Sequence, residues 1–199
     1  MRKTFIKTSS EIIKANENTA LLLGDISVFG FKDLINEYPS RVINLGILEQ
    51  TIVGIGAGYA LAGLTPTIHT IAPFLVERAF EQIKIDFGYQ NLSGNFVSVG
   101  ASYDYSTLGC THHCPGDFPL LSSIPGIQLF IPGHPDELSL MFNQNWSNKK
   151  LNYFRLSEQT NEIALKTEHG KLLKLSEGSK GTVISVGPTL KNVKSAIVN

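Results

Sequence analysis

Glu49 is the residue of this sequence whose surroundings most suggest chemistry. It sits near the end of the run Arg41-Val-Ile-Asn-Leu-Gly-Ile-Leu-Glu-Gln50, and no lysine, arginine or further acid follows until Glu77. Burial disfavours the charged form of a carboxyl group, so an acid opening an apolar, glycine-rich segment is expected to keep or share a proton near neutral pH. Such a group can donate a hydrogen bond to a ligand nitrogen.

A second cluster, Leu108-Gly-Cys-Thr-His-His-Cys-Pro-Gly-Asp117, crowds two cysteines and two histidines together. A structural zinc site draws its ligands from two separated pairs. Adjacent His112 and His113 do not easily share one ion with both flanking thiols, and no second pair occurs elsewhere, so no metal site is expected. A loop at the carboxyl edge of a sheet, where α/β folds place ligands, suits these residues better. Histidines there can donate hydrogen bonds or transfer protons near pH 7; capping the next helix is the plainer alternative. The spacing Gly54-x-Gly56-x-Gly58 invites comparison with a dinucleotide fingerprint, but Tyr59 occupies the third glycine position. Gly54 and Gly58, four apart on one helix face, are expected instead to admit a close backbone neighbour.

The elements that must carry these residues alternate along the chain. Strands are expected at 20–23, 42–45, 67–71, 96–99, 129–131 and 153–156. Helical spacing marks 31–38, 50–64, 74–87 and 136–146, the last with a cap near Pro135-Asp136. This alternation implies an α/β fold with a mainly parallel sheet and helices on both faces. The main domain is expected over residues 1–157, followed by a polar linker at 158–180. Residues 181–199 then offer a strand at 182–188 and the start of a helix at 191–198, too little to bury a core of their own.

Composition narrows the partners. Seventeen basic and seventeen acidic residues cancel, which leaves no electrostatic footprint for nucleic acid or anionic lipid. Two cysteines are too few for a secreted disulfide scaffold, and the N-terminus lacks the apolar core of a signal peptide, so the expected compartment is the cytoplasm. The uncharged span 51–76 exceeds the roughly 20 residues that cross a bilayer, but Pro66, Pro73, His69 and four threonines interrupt it. No membrane span is expected.

Taken together, the run from Arg41 to Gln50, the glycine-rich helix, the stretch from Pro66 to Gln82 and that from Gly109 to Glu137 resemble the pyrimidine-binding domain of the transketolase family of thiamine-diphosphate enzymes. The resemblance covers about residues 5–157, and the tail from Thr182 is similar to the first strand and helix of the family's third domain. Leu-Gly-x-Thr-His-His followed by Asp117 looks like small, split transketolase-like subunits associated with unusual sugars. By this resemblance Glu49 would hydrogen-bond N1′ of the aminopyrimidine and so activate the thiazolium carbon. Gln50, Ile71 and Phe74 would line the same pocket, with Phe74 as the stacking aromatic. His112 would lie beside the reacting carbons, His113 stands where glutamine is usual, and Arg155 would face a substrate phosphate.

Three departures qualify these expectations. Leu108 replaces an acid that contacts the sugar in transketolase, and Ile71 and Glu77 replace aromatics. Nothing resembles the Gly-Asp-Gly…Asn motif that holds magnesium and the diphosphate, since Gly24-Asp25-Ile26 lacks its third glycine. The resemblance therefore implies that thiamine diphosphate and its Mg²⁺ are bound mainly through a second, diphosphate-domain subunit, in a dimer or an α₂β₂ heterotetramer. The implied reaction is transfer of a two-carbon ketol unit between sugars or sugar phosphates. A 2-oxoacid dehydrogenase or deoxyxylulose-phosphate-synthase-like subunit would share the domain; a non-catalytic dimerisation or regulatory module is the alternative from a different class.

Overall fold

Strands joined through helices return to a sheet in the same direction, because a helical crossover reverses the chain between them. The computed structural model describes residues 1–166, 168 and 170–197. Its strands are β1 (Thr19–Leu23), β2 (Val42–Asn44), β3 (Thr65–Ile71), β4 (Gly94–Val99), β5 (Gln128–Phe130) and β6 (Leu151–Leu156). They form one six-stranded sheet in the order β2-β1-β3-β4-β6-β5, with every neighbouring pair parallel. The helices are α1 (Arg2–Ala15), α2 (Lys32–Glu37), α3 (Glu49–Leu61), α4 (Ala72–Val76), α5 (Phe80–Gln82), α6 (Asp117–Ser122), α7 (Pro135–Asn145) and α8 (Leu190–Ile197).

Side chains alternate across each strand, and the sheet accordingly has two cores. Leu22, Ile68, Phe96 and Tyr153 meet α3, α4 and α6 on one face. Leu21, Leu23, Val97 and Phe154 meet α1, α2 and α7 on the other. The second core is built from aromatic edges: Phe5 lies 5.5 Å from Phe142 and 5.9 Å from Phe31, and Phe142 lies 5.0 Å from Phe154. Such pairs add about 0.5–1.5 kcal/mol each beyond the area they bury.

The strands and the helices on both faces match the sequence reading; four details do not. Helix α1 escapes the sequence pattern, because buried Thr8 and Ser9 interrupt its apolar stripe of Phe5, Ile12 and Ile13. The helix expected over 74–87 is broken after Val76 and resumes as α5 and π-helical turns at Ile83–Tyr89. At the break, the amides of Glu77 and Arg78 both donate to Pro73 O, at 3.0 and 3.1 Å. The packing glycine of α3 is Gly56, where a Cβ would come within 2.6 Å of Ile68 Cδ1; Gly58 faces open space, and Gly54 has only Asp86 Oδ2 within reach, at 3.7 Å. The strand expected at 182–188 does not form, since residues 182–186 pair with no other described strand, and Val183 and Ile184 are exposed. Thr167 and His169 of the expected linker, and Val198 and Asn199 at the end of the tail, lie outside the described residues.

Candidate active site at the carboxyl edge of the sheet

A parallel sheet delivers all its strand-to-helix loops to one edge, and the residues singled out above gather there. Glu49 is the first residue of α3, where the free amides of a helix start favour negative charge. It is 1% exposed. Its burial does not come from the apolar neighbours as a group: Ile52 and Val53 are fully buried, but Ile47 and Leu48 are 63% and 55% exposed. What covers the carboxylate is Arg78, whose Nη1 lies 2.8 Å from Glu49 Oε2. The acid expected to keep or share a proton is thus paired with a guanidinium. The Thr70 hydroxyl, 3.2 Å from Gly24 O and 3.5 Å from Glu49 Oε1, has one proton for two acceptors.

The break between α4 and α5 positions this pair. Phe74 and Arg78 are four residues apart, the spacing at which neighbouring turns meet, and the Arg78 guanidinium carbon lies 4.2 Å from the centre of the Phe74 ring. His112 approaches the same ring edge-on at 5.1 Å. Glu49, Arg78, Phe74 and His112 therefore form one continuous group. Ile71 ends β3 half-buried, and Gln50 is exposed beside Glu49 on α3.

His112 and His113 belong to the long loop after β4. Gly100, at φ +76, turns the chain off the strand and lets the Tyr105 ring lie where a Cβ would stand. The loop closes on itself through the amide of Cys114, which donates to Ser102 O at 2.8 Å. His112 Nδ1 pairs with Thr111 Oγ1 at 3.0 Å. His113 packs against Tyr103 at 5.1 Å, and its Nε2 is buried with no hydrogen-bond partner among the described residues.

Beneath the loop is a buried polar anchor. Asp117, fully buried, accepts from Tyr153 OH at 2.8 Å and from Arg155 Nε at 2.7 Å. Ser98 pairs with the same phenol at 2.7 Å, and Arg155 Nη2 donates to Ser102 Oγ at 2.6 Å. Arg155 is thus committed through two nitrogens to the protein, and its side chain is 15% exposed. Burial raises the Tyr153 phenol well above its ordinary range, with Asp117 adding to the effect. Burial, then the charges of Asp117 and Glu77, push the Cys114 thiol upward as well, so it stays protonated and inert. Cys110 is exposed on the loop.

Sequence reasoning misses Arg78 and the anchoring role of Asp117. The first leaves a signal, an arginine four residues after an aromatic at the end of an uncharged stretch. The second leaves none, because its partners Tyr153 and Arg155 are distant in sequence. Among the described residues no three His, Cys, Asp or Glu side chains converge as a metal ion would require, and no helix is long and apolar enough to cross a membrane.

Residues 1–162 match the family model described as the transketolase pyrimidine-binding domain. The chain is 37% identical over 196 residues to an uncharacterized 33.6 kDa protein of the fasciation locus of Rhodococcoides fascians, covering 98% of this chain and 63% of that protein. It is 30% identical over 168 residues to a subunit of the apulose-4-phosphate transketolase of Actinobacillus succinogenes, covering 82% of this chain and 54% of that one. Among solved structures, a split-gene transketolase described as an inactive β₄ tetramer superposes with a TM-score of 0.83 at 25% identity, over 99% of this chain and 66% of that one. The chain thus spans between about half and two thirds of the length of these relatives.

Proposed function

The chain belongs to the transketolase pyrimidine-binding family, and on that footing we propose that it is the pyrimidine-domain part of a split, cytoplasmic, thiamine-diphosphate-dependent transketolase. The observation that carries this reading is the placement of Glu49, a buried carboxylate at a helix start, paired with Arg78, whose guanidinium lies over the Phe74 ring that His112 meets edge-on. The donor set suits an aminopyrimidine: the carboxylate and ring already hold a flat group bearing N–H donors, the Arg78 guanidinium. Thiamine diphosphate, when bound, supplies a carbon nucleophile and an electron sink for breaking the bond beside a ketose carbonyl.

This chain's own residues would do five things. Glu49 would hold a proton at the pyrimidine ring nitrogen, and Phe74 would fix the ring plane. His112, on a loop anchored by Asp117 and Arg155, would donate to substrate oxygens. His113, whose buried Nε2 lacks a partner among the described residues, would be a second donor or acceptor for the sugar. Arg155 retains one nitrogen, Nη1, beyond those bonded to Asp117 and Ser102, and it would donate to a phosphate. The diphosphate and Mg²⁺ would be held mainly by a partner subunit, giving an α₂β₂ assembly. The inactivity of the similar β₄ tetramer supports the need for such a partner, and the apulose-phosphate relative supports a sugar phosphate as substrate.

The test is reconstitution of the chain with a diphosphate-domain subunit and assay of ketol transfer. Glu49→Gln should lower kcat at least 100-fold, in line with the usual size of general acid–base contributions, while assembly by size-exclusion chromatography is unchanged. Full activity in that variant would defeat the mechanism. Absence of turnover with any partner would favour a non-catalytic module.

A further inference from the structure

The Glu49 carboxylate has almost no accessible surface, yet one of the side chains that cover it is 40% exposed. A ligand cannot reach this acid through Thr70, which is buried in β3, or through Ile52 and Val53, which are packed into the core. The open route is the one Arg78 occupies. Its guanidinium also reproduces what a planar nitrogen heterocycle would do in the same place: it lies close enough over Phe74 to bring Cζ within 4.2 Å of the ring centre, and it donates to Glu49 Oε2 at 2.8 Å.

We propose that Arg78 is the internal occupant of the heterocycle slot, paired with Glu49 and stacked on Phe74, and that it must swing out before a planar, amino-bearing heterocycle can enter. The proposal rests on the reading of Glu49 as the residue that meets the ring nitrogen. It makes Arg78 a gating residue with two consequences. The empty slot never exposes an unpaired buried carboxylate, which would be destabilising. Binding of a ring is opposed by the ion pair it must break, so the chain alone holds the heterocycle weakly. The turn after Val76 gives the side chain its freedom, because Arg78 lies outside the regular turns of α4 and α5.

The experiment titrates the 199-residue chain with 4-amino-5-hydroxymethyl-2-methylpyrimidine, the free ring without diphosphate, by calorimetry. Arg78→Met keeps the length and apolar body of the side chain but removes the pair, and should bind the ring about tenfold more tightly, which corresponds to about 1.4 kcal/mol. Raising the salt should tighten binding to the wild-type chain by screening the half-exposed pair and leave Arg78→Met unchanged. Arg78→Lys keeps the charge without the planar fork and should fall between the two; it decides the matter if the methionine variant does not fold. Equal or weaker binding in both variants overturns the proposal and leaves Arg78 as part of the binding surface. Glu49→Gln separates the two layers of inference. If it binds the ring as the wild type does, the role assigned to Glu49 fails first, and the gate with it.

Discussion

The two ends of strands β4 and β6 close the same sheet by opposite means. At their start, Asn95 faces Asn152 across the ladder; three residues on, Ser98 faces Arg155. The first end is sealed by neutral amides: Asn152 Nδ2 donates to Asn95 Oδ1 at 2.9 Å and to Asn145 O at 3.0 Å, and Asn95 Nδ2 donates to Trp146 O at 2.8 Å. The second end is sealed by ionised groups, with Arg155 on Asp117 and, two strands away, Arg78 on Glu49. Taking an ion out of water costs several kcal/mol even when it is paired. Since amides of similar size close the other end, the fold itself does not require charge at the carboxyl edge. On the proposed function, the charges there support the site.

The largest test of that contrast strands one ion at the charged end. Asp117→Ala leaves the nearly buried Arg155 without its carboxylate and the Tyr153 hydroxyl with Ser98 alone, and should lower stability in urea by about 3–5 kcal/mol, the usual result of breaking a buried pair. It should also loosen the loop that carries His112 and His113, which hydrogen exchange at the 101–116 amides would register. A loss below about 1 kcal/mol would mean that the anchor is peripheral and that the two ends are alike.

Much of the scaffold is legible in the sequence, for physical reasons visible in particular residues. β1, β4 and β6 are short apolar runs, and α7 announces itself by Pro135 and the acids after it, although its cap is the His134 ring, which accepts from the Asp136 amide. Glu49 is conspicuous because α3 carries no other charge. What stays hidden depends on tertiary contacts. Polar Thr8 and Ser9 mask α1, because their burial is set by the packing of α1 on α7. The turn at 77–79 is invisible to a helical period, and with it the direction of Arg78. Resemblance alone gives Arg155 a phosphate to face, but its bond to Asp117 depends on a helix nearly forty residues earlier in the chain.

A smaller effect should appear with pH, and only toward the charged end. His69 on β3 is fully buried, with Nδ1 2.8 Å from Val97 O and Nε2 2.9 Å from Ser27 Oγ. Burial pushes it down to about 4 from the ordinary 6.5, against the opposing hydrogen bond to Val97. Above pH 6.5 neither the folded nor the unfolded chain protonates this ring, and its contribution is constant. As pH falls from 6.5 to about 4 the unfolded chain takes up the proton and the folded one does not, so stability declines by about 3 kcal/mol; below that both are protonated and the slope flattens. His69→Gln retains a polar group at the position and should lose that much of the acid-side slope. An unchanged slope would show that the decline comes from the carboxylates instead.

The amide end supplies the smallest effect and the sharpest control. Asn152→Ala removes the donor to Asn95 Oδ1 and Asn145 O, and leaves the first acceptor buried and the second half-buried. An unsatisfied neutral group costs about 1–3 kcal/mol, less than a stranded ion, so this variant should remain folded with a midpoint in urea between those of wild type and Asp117→Ala. No group in the amide network titrates between pH 4 and 8, so the loss should be the same at both limits. It should also leave ketol transfer in the reconstituted enzyme within about twofold, because the amides lie at the edge opposite the loops that carry His112 and Phe74. If Asn152→Ala instead cost as much as Asp117→Ala, or depended on pH, burial alone would account for both ends. The charges at the carboxyl edge would then be no evidence of a site.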